Sequence, residues 1–164
     1  VEITEEYYQE LLAGQSAGLL IVESKAGVPV LQECKTTIRE AKAQKLDELR
    51  LYDSSEEVNQ FSINKVFGWF NKSTRVGLAN SINIEREVGR SKTNIWLGDT
   101  LFILPIEKAI DMLCQLELYA LTCYNVTQGH INIINQLETK ESIEFYDFRI
   151  GYPKKLSFTG YATL

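Results

Sequence analysis

The sequence has one histidine, His130, and one methionine, Met112. It has three cysteines, Cys34, Cys114 and Cys123, and no CxxC pair among them. One histidine and scattered cysteines cannot supply the clustered ligands of a structural zinc site. Cys114 and Cys123 lie nine positions apart. On one helix that places them on opposite sides and about 13 Å apart along the axis, too far for a disulfide. Reduced, buried thiols in a cytoplasmic setting are therefore expected. No apolar run approaches the roughly 18 residues of a membrane span, and Val1 opens no signal-peptide pattern. Positive charge is in deficit: 17 Lys and Arg stand against 22 Asp and Glu, for a net charge of −5. This argues against a nucleic-acid-binding face. No Gly-x-Ser-x-Gly elbow, HExxH helix or EF-hand loop occurs. Gly89-Arg90-Ser91-Lys92-Thr93 lacks the leading glycine of a phosphate loop and runs from a helix into a strand, the reverse order. No metal, nucleotide, cofactor or catalytic site is expected.

What the chain does have is apolar residues, 45% of its 164 positions. That suits one globular domain with a real core. Their strongest pattern runs from Ile106 to Leu137. Ala109, Ile110, Leu113, Leu116, Ala120, Cys123, Tyr124, Thr127, Ile131, Ile134 and Leu137 recur at intervals of three and four, one continuous helix face. Met112, Tyr119, Val126 and Ile133 form a second row beside it. So wide an apolar surface must be covered from more than one direction. Leu113, Leu116, Ala120, Cys123 and Ile134 are the expected core. Pro105 suits the first turn. Unbroken, this helix would be about 48 Å long. The radius of gyration for such a chain is only about 15 Å. The helix therefore spans the domain, bends near Gly129, or protrudes towards a partner.

Upstream, Thr4 reads as an N-cap, Tyr7, Tyr8, Leu11 and Leu12 as a stripe, and Gly14 as the stop. Leu19–Val22 and Val28–Leu31 form a hairpin around Lys25-Ala26-Gly27. Residues 1–33 make a helix-hairpin docking module, too small to bury its own Tyr7, Leu11, Leu19 and Ile21. Residues 34–51 form an exposed connecting helix with the weak stripe Ile38, Ala41, Leu46, Leu49 and Tyr52. Residues 52–164 are the main domain.

In that domain Phe61–Ile63 meets Val66–Phe70 across Asn64-Lys65, and Thr93–Leu97 meets Thr100–Leu104 across Gly98-Asp99. Ile95, Leu97, Phe102 and Leu104 share one face of the second hairpin, and Trp96, Leu101 and Ile103 the other. Being apolar on both sides, this hairpin is expected to be sandwiched. Ser73–Val88 is a helix with Val76, Leu78, Ala79 and Ile82 inward. Thr139 caps a short element, and Leu156, Phe158 and Tyr161 follow along an extended tail. The fold class is α+β, with two hairpins packed on a long central helix.

Several residues could carry chemistry or binding. A general base needs a partnered acid or nucleophile nearby, and along the helix Cys123 is about 10 Å from His130. His130 therefore reads as a core or interface histidine. Glu138, Glu141, Glu144 and Asp147 read as a solvated, helix-capping cluster. Trp69, Trp96 and Tyr152 are core rings, interface residues or a sugar-stacking platform. A partner interface is assigned to Tyr7, Leu11, Phe67, Trp69, Met112 and Tyr119.

One resemblance covers residues 45–158. Leu51–Phe61, Trp69–Leu78, Thr93–Leu97, Phe102–Pro105, Met112-Leu113, Tyr119-Ala120, Tyr124–Thr127 and Tyr146–Phe158 resemble, in order, a family of uncharacterised domains. That family occurs in tailed bacteriophages and in prophages of Bacteroides-type gut bacteria. Asn64-Lys65 departs from the family's usual Asn-Gly turn. Residues 2–18 resemble the start of short phage proteins encoded beside tail-fibre genes, several of them called tail-fibre assembly proteins. The resemblance implies a structural or assembly protein of a phage tail, with no enzymatic activity. It implies phage tail or tail-fibre partners, with self-association as a further option and no nucleic acid or membrane. It places the chain in the virion or in the cytoplasm of the infected host. The alternative reading is a glycan-binding accessory module of a phage adhesion apparatus.

Overall fold

A computed structural model describes residues 2–33 and 36–163. The fold is α+β, and two compact units divide after Ala41. The expectation for Cys34 lies outside the described residues.

In the first unit, α1 (Glu5–Ser16) starts at Thr4, whose hydroxyl accepts from the Tyr7 amide. Gly14 does not end it. It lies inside the helix against Leu31, where any Cβ would overlap the leucine side chain. The stop is Gly18, at φ 93°. Strands β1 (Leu19–Glu23) and β2 (Pro29–Glu33) pair antiparallel, Ile21 opposite Leu31. Leu11 is buried, and the Tyr7 hydroxyl donates to the Pro29 carbonyl at 2.8 Å. Leu20 and Ile21 remain exposed.

Helix α2 (Ile38–Ser54) begins with a capping box between Thr37 and Glu40. It is not a mere connector. From Lys42 onward it belongs to the second unit. Leu49 is fully buried with Ile134 and Phe148, because one side of this charged helix is apolar just there.

The second unit continues with β3 (Phe61–Ile63) and β4 (Val66–Gly68), joined by Asn64-Lys65. Both turn residues have positive φ, 47° and 69°. That is the two-residue turn whose twist matches a hairpin. Helix α3 (Lys72–Glu87) follows, capped by Asn71. Strands β5 (Lys92–Leu97) and β6 (Thr100–Pro105) pair with Ile95 opposite Phe102. Helix α4 (Ile106–Gln136) runs for 31 residues, buried at intervals from Ile106 to Ile134, so it spans its unit. Helix α5 (Lys140–Glu144), capped by Thr139, comes next. The tail is more than extended chain. Strand β7 (Ser157–Phe158) pairs parallel to β3, and β8 (Ala162–Thr163) antiparallel to β6.

The main core joins Phe61, Ile63, Ile82, Ile95, Phe102 and Leu116. All four residues assigned to the inner face of β5–β6 are buried. The hairpin is not sandwiched, however. Trp96 on the opposite face is 60% exposed, while Leu101 and Ile103 are half-buried. On α3, Val76 is exposed and its neighbour Arg75 is buried instead.

Candidate functional site

Two places on α4 stand out: a buried polar cluster along its second half and an uncovered apolar face along its middle.

The cluster starts from residues one helical turn apart, Cys123, Thr127 and His130, which share a buried side of α4. His130 is 7% exposed. Its Nε2 lies 2.9 Å from the Ile150 carbonyl oxygen and its Nδ1 2.6 Å from the Tyr146 hydroxyl. A carbonyl only accepts, so Nε2 carries the proton and Nδ1 accepts from Tyr146. The ring stacks on Tyr152, with centroids 5.9 Å apart. The Thr127 hydroxyl donates to Asp53 at 2.6 Å, which leaves it to accept from the Tyr152 hydroxyl at 2.8 Å. Tyr119 donates to the Val58 carbonyl at 2.8 Å. Desolvation pushes the Tyr119 phenol, the Cys123 thiol and the Tyr152 phenol above their ordinary values. A histidine with both nitrogens committed and a thiol held protonated are set up to hold segments together.

Arg75 forms a second clasp. Its Nε donates to Glu117 at 2.7 Å and a terminal nitrogen donates to the Phe70 carbonyl at 2.6 Å. Its guanidinium lies over the Trp69 ring. Glu117 is half-exposed, so the pair is a hydrogen-bonded anchor more than a buried ion pair. The sequence offered one signal for it, an arginine four residues after a capping asparagine, and that is too common to single out.

The residues assigned to a partner interface fall in different surroundings. Met112 is wholly buried, and Leu11 and Tyr119 nearly so. Trp69 is half-buried against Phe61 and Tyr119, and Tyr7 is half-buried. Of the six, Phe67 alone is freely exposed, at 64%. The physical reason is the rotation of α4. Its buried side is centred on Leu116 and Cys123 and takes in Met112 and Tyr119. Tyr124, placed in the core stripe, is therefore exposed, and Ala120 only half-buried. Cys114, expected inside, is exposed, whereas Cys123 is buried. Trp69 and Tyr152 are held within packed clusters while Trp96 stands on an open strand face, so the three rings do not form one stacking platform. Glu138, Glu141, Glu144 and Asp147 are all exposed, as a solvated cluster should be.

Among the described residues no three His, Cys, Asp or Glu side chains come together as metal ligands would, and no helix is long and apolar enough to cross a membrane. No family model matches the chain, and neither does any curated protein or solved structure.

Proposed function

We propose that this chain is a non-catalytic structural or assembly protein of a phage tail or tail-fibre apparatus, acting by binding other proteins. The phage setting rests on the resemblance of residues 45–158 and 2–18. The observation that supports binding is the outward side of α4. There Leu118, Leu121 and Tyr124 are each more than half exposed, on the side of the helix away from the core. Exposed apolar residues grouped on one face, rather than scattered, mark an interaction surface.

The test is mass spectrometry of purified virions of the encoding phage, with co-purification from infected cells. The expected result is the chain at fixed stoichiometry with a tail or tail-fibre protein in one of the two samples. Its absence from such complexes in both would overturn the proposal.

A further inference from the structure

The sheet of β4, β3 and β7 has two unlike faces. Side chains alternate across a strand, so Phe61 and Ile63 of β3 and Phe158 of β7 enter the core. Ser62 points the other way. It pairs with Phe67 of β4 on one side and with Ser157 of β7 on the other, so the three make one row across the outer face. The two serines are short and their neighbours on this face are long. Gln60 stands two positions before Ser62, Lys65 two before Phe67, and Lys155 two before Ser157. The result is a recess of about 250 Å³, floored by the serines and walled by Gln60, Lys65, Phe67 and Lys155. Ser62 on the floor is 6% exposed, whereas Phe67 on the wall is 64% exposed.

The recess is rich in donors. The Ser62 hydroxyl donates to the Ser157 hydroxyl at 3.0 Å, which leaves the Ser157 proton to point outward. Lys65 has no ion-pair or hydrogen-bond partner among the described residues. Lys155 is held loosely, 3.3 Å from the Gln60 carbonyl oxygen and 3.8 Å from the exposed Glu57. The Gln60 amide nitrogen reaches Glu56 at 3.5 Å, and its carbonyl oxygen keeps a second lone pair. Among the described residues no Asp or Glu lines the recess, so its lining is positive in a chain of net charge −5.

We propose that this recess binds one acidic sugar unit, a six-membered ring bearing a carboxylate. Lys65 and Lys155 take the carboxylate in charge-assisted hydrogen bonds. Ser157 donates to one ring hydroxyl, and the Gln60 carbonyl accepts from another. The apolar face of the ring lies on Phe67, whose negative π face attracts the polarised C–H bonds. A bare anion would leave Phe67 unused, and a neutral sugar would leave the lysines unused. An added peptide strand does not fit. β3 is the central strand, and its amides at Ser62 and Asn64 already donate to the Leu156 and Phe158 carbonyls, so the recess offers side chains and no strand edge. The site is separate from the outward side of α4 and goes beyond the protein-binding reading without resting on it.

The experiment is a titration of the full-length, 15N-labelled chain followed by amide chemical shifts. The probes are methyl β-D-glucuronide and the methyl glycoside of N-acetylneuraminic acid. The comparison ligands are methyl β-D-glucoside, acetate and N-acetylglutamate amide. The expected result is saturable shifts at Ser62, Lys65, Phe67 and Ser157 with at least one acidic sugar, about ten-fold tighter than with any comparison ligand. Lys65→Gln and Phe67→Ala, both at exposed positions, each weaken that binding about five-fold while the remaining amide spectrum stays in place. Several outcomes would overturn the proposal. Equal binding of acetate makes this an anion site only, and equal binding of the glucoside means that charge is not read. Equal binding of N-acetylglutamate amide gives the recess to an acidic protein segment. No shifts with either acidic sugar, or affinity unchanged in both variants, leaves no sugar site here.

Discussion

The two halves of α4 are held in different ways. From Ile106 to Leu116 the buried positions are Ile106, Ala109, Met112, Leu113 and Leu116, packed against the inner face of β5–β6 and against Ile82 of α3. This burial is non-directional and scales with apolar area. From Tyr119 to His130 the buried positions are Tyr119, Cys123, Thr127 and His130. Here hydroxyl and imidazole groups reach specific partners: the Val58 and Ile150 carbonyls, Asp53, Tyr146 and Tyr152. The first half would tolerate exchange of one apolar side chain for another of similar volume. The second would tolerate it less, because a lost partner leaves a polar atom unpaired in a buried or part-buried setting. One helix thus secures the hairpins by packing and the irregular 146–152 segment by hydrogen bonds, which suits a segment with no strand ladder of its own.

The largest expected effect falls in the first half. Leu116→Ala should cost about 2–5 kcal/mol in urea unfolding, the range for a fully buried leucine that leaves a cavity. A loss under about 0.5 kcal/mol, the size of a surface effect, would mean that this face does not carry the core. Next is His130→Leu. It keeps bulk but strands the Tyr146 hydroxyl and the Ile150 carbonyl, and should cost about 1–3 kcal/mol. If His130→Leu is neutral or stabilising, the two halves do not differ in kind.

A gentler effect appears in alkali. The ordinary values are 9.0 for the Cys123 thiol and 10.0 for the Tyr119, Tyr146 and Tyr152 phenols, and burial raises all four in the folded chain. Between the unfolded and the raised folded values, the unfolded chain gives up protons that the folded chain keeps. Stability is therefore full below about pH 9 and falls as pH rises beyond it. All four groups lie on the second half of α4 or pack against it. Unfolding free energies measured at neutral and alkaline pH should show the decline, and Tyr119→Phe should make it shallower. An equal slope in Tyr119→Phe would remove Tyr119 from the account. The smallest effect belongs to the outer face: Leu118→Gln should change stability by less than about 0.5 kcal/mol.

The contrast also marks what the sequence made legible. Both hairpins and their turns could be read from alternation and from Asn64-Lys65 and Gly98-Asp99, since strand period and turn chemistry are local. The caps at Thr4 and Thr139 were legible for the same reason. The length of α4 was plain, but not its rotation. A helix apolar on nearly all sides offers no polar stripe to set its phase, so Met112 and Tyr119 exchanged places with Tyr124. The His130 cluster could not be assembled from spacing. Its members come from three places far apart in sequence: position 53 on α2, 127 and 130 on α4, and 146, 150 and 152 in the irregular segment. Leu49 stood in the weak stripe of α2, but the helix's charged composition concealed that the stripe is buried, and Arg75, a charged residue beside Val76, gave no apolar signal of its burial. The strands β7 and β8, two residues each, are too short to show a period.

Those two short strands bear on how the second unit comes to fold. Ser62 meets Ser157 across a separation of 95 residues, and Asn64 holds the Tyr161 carbonyl across 97. At roughly 5–20 residues per second, a ribosome takes on the order of 5–20 s to make the chain between them. Through that interval β3–β4 and β5–β6 can exist only as two-stranded ribbons. The outer edges of β3 and β6, with Phe61 and Phe102 beside them, are open to pairing with other chains. The late arrival of residues 157–163 closes both edges almost at once. Residues 157–163, with only two residue pairs in each sheet, are thus what converts β3 and β6 from edge strands into central ones.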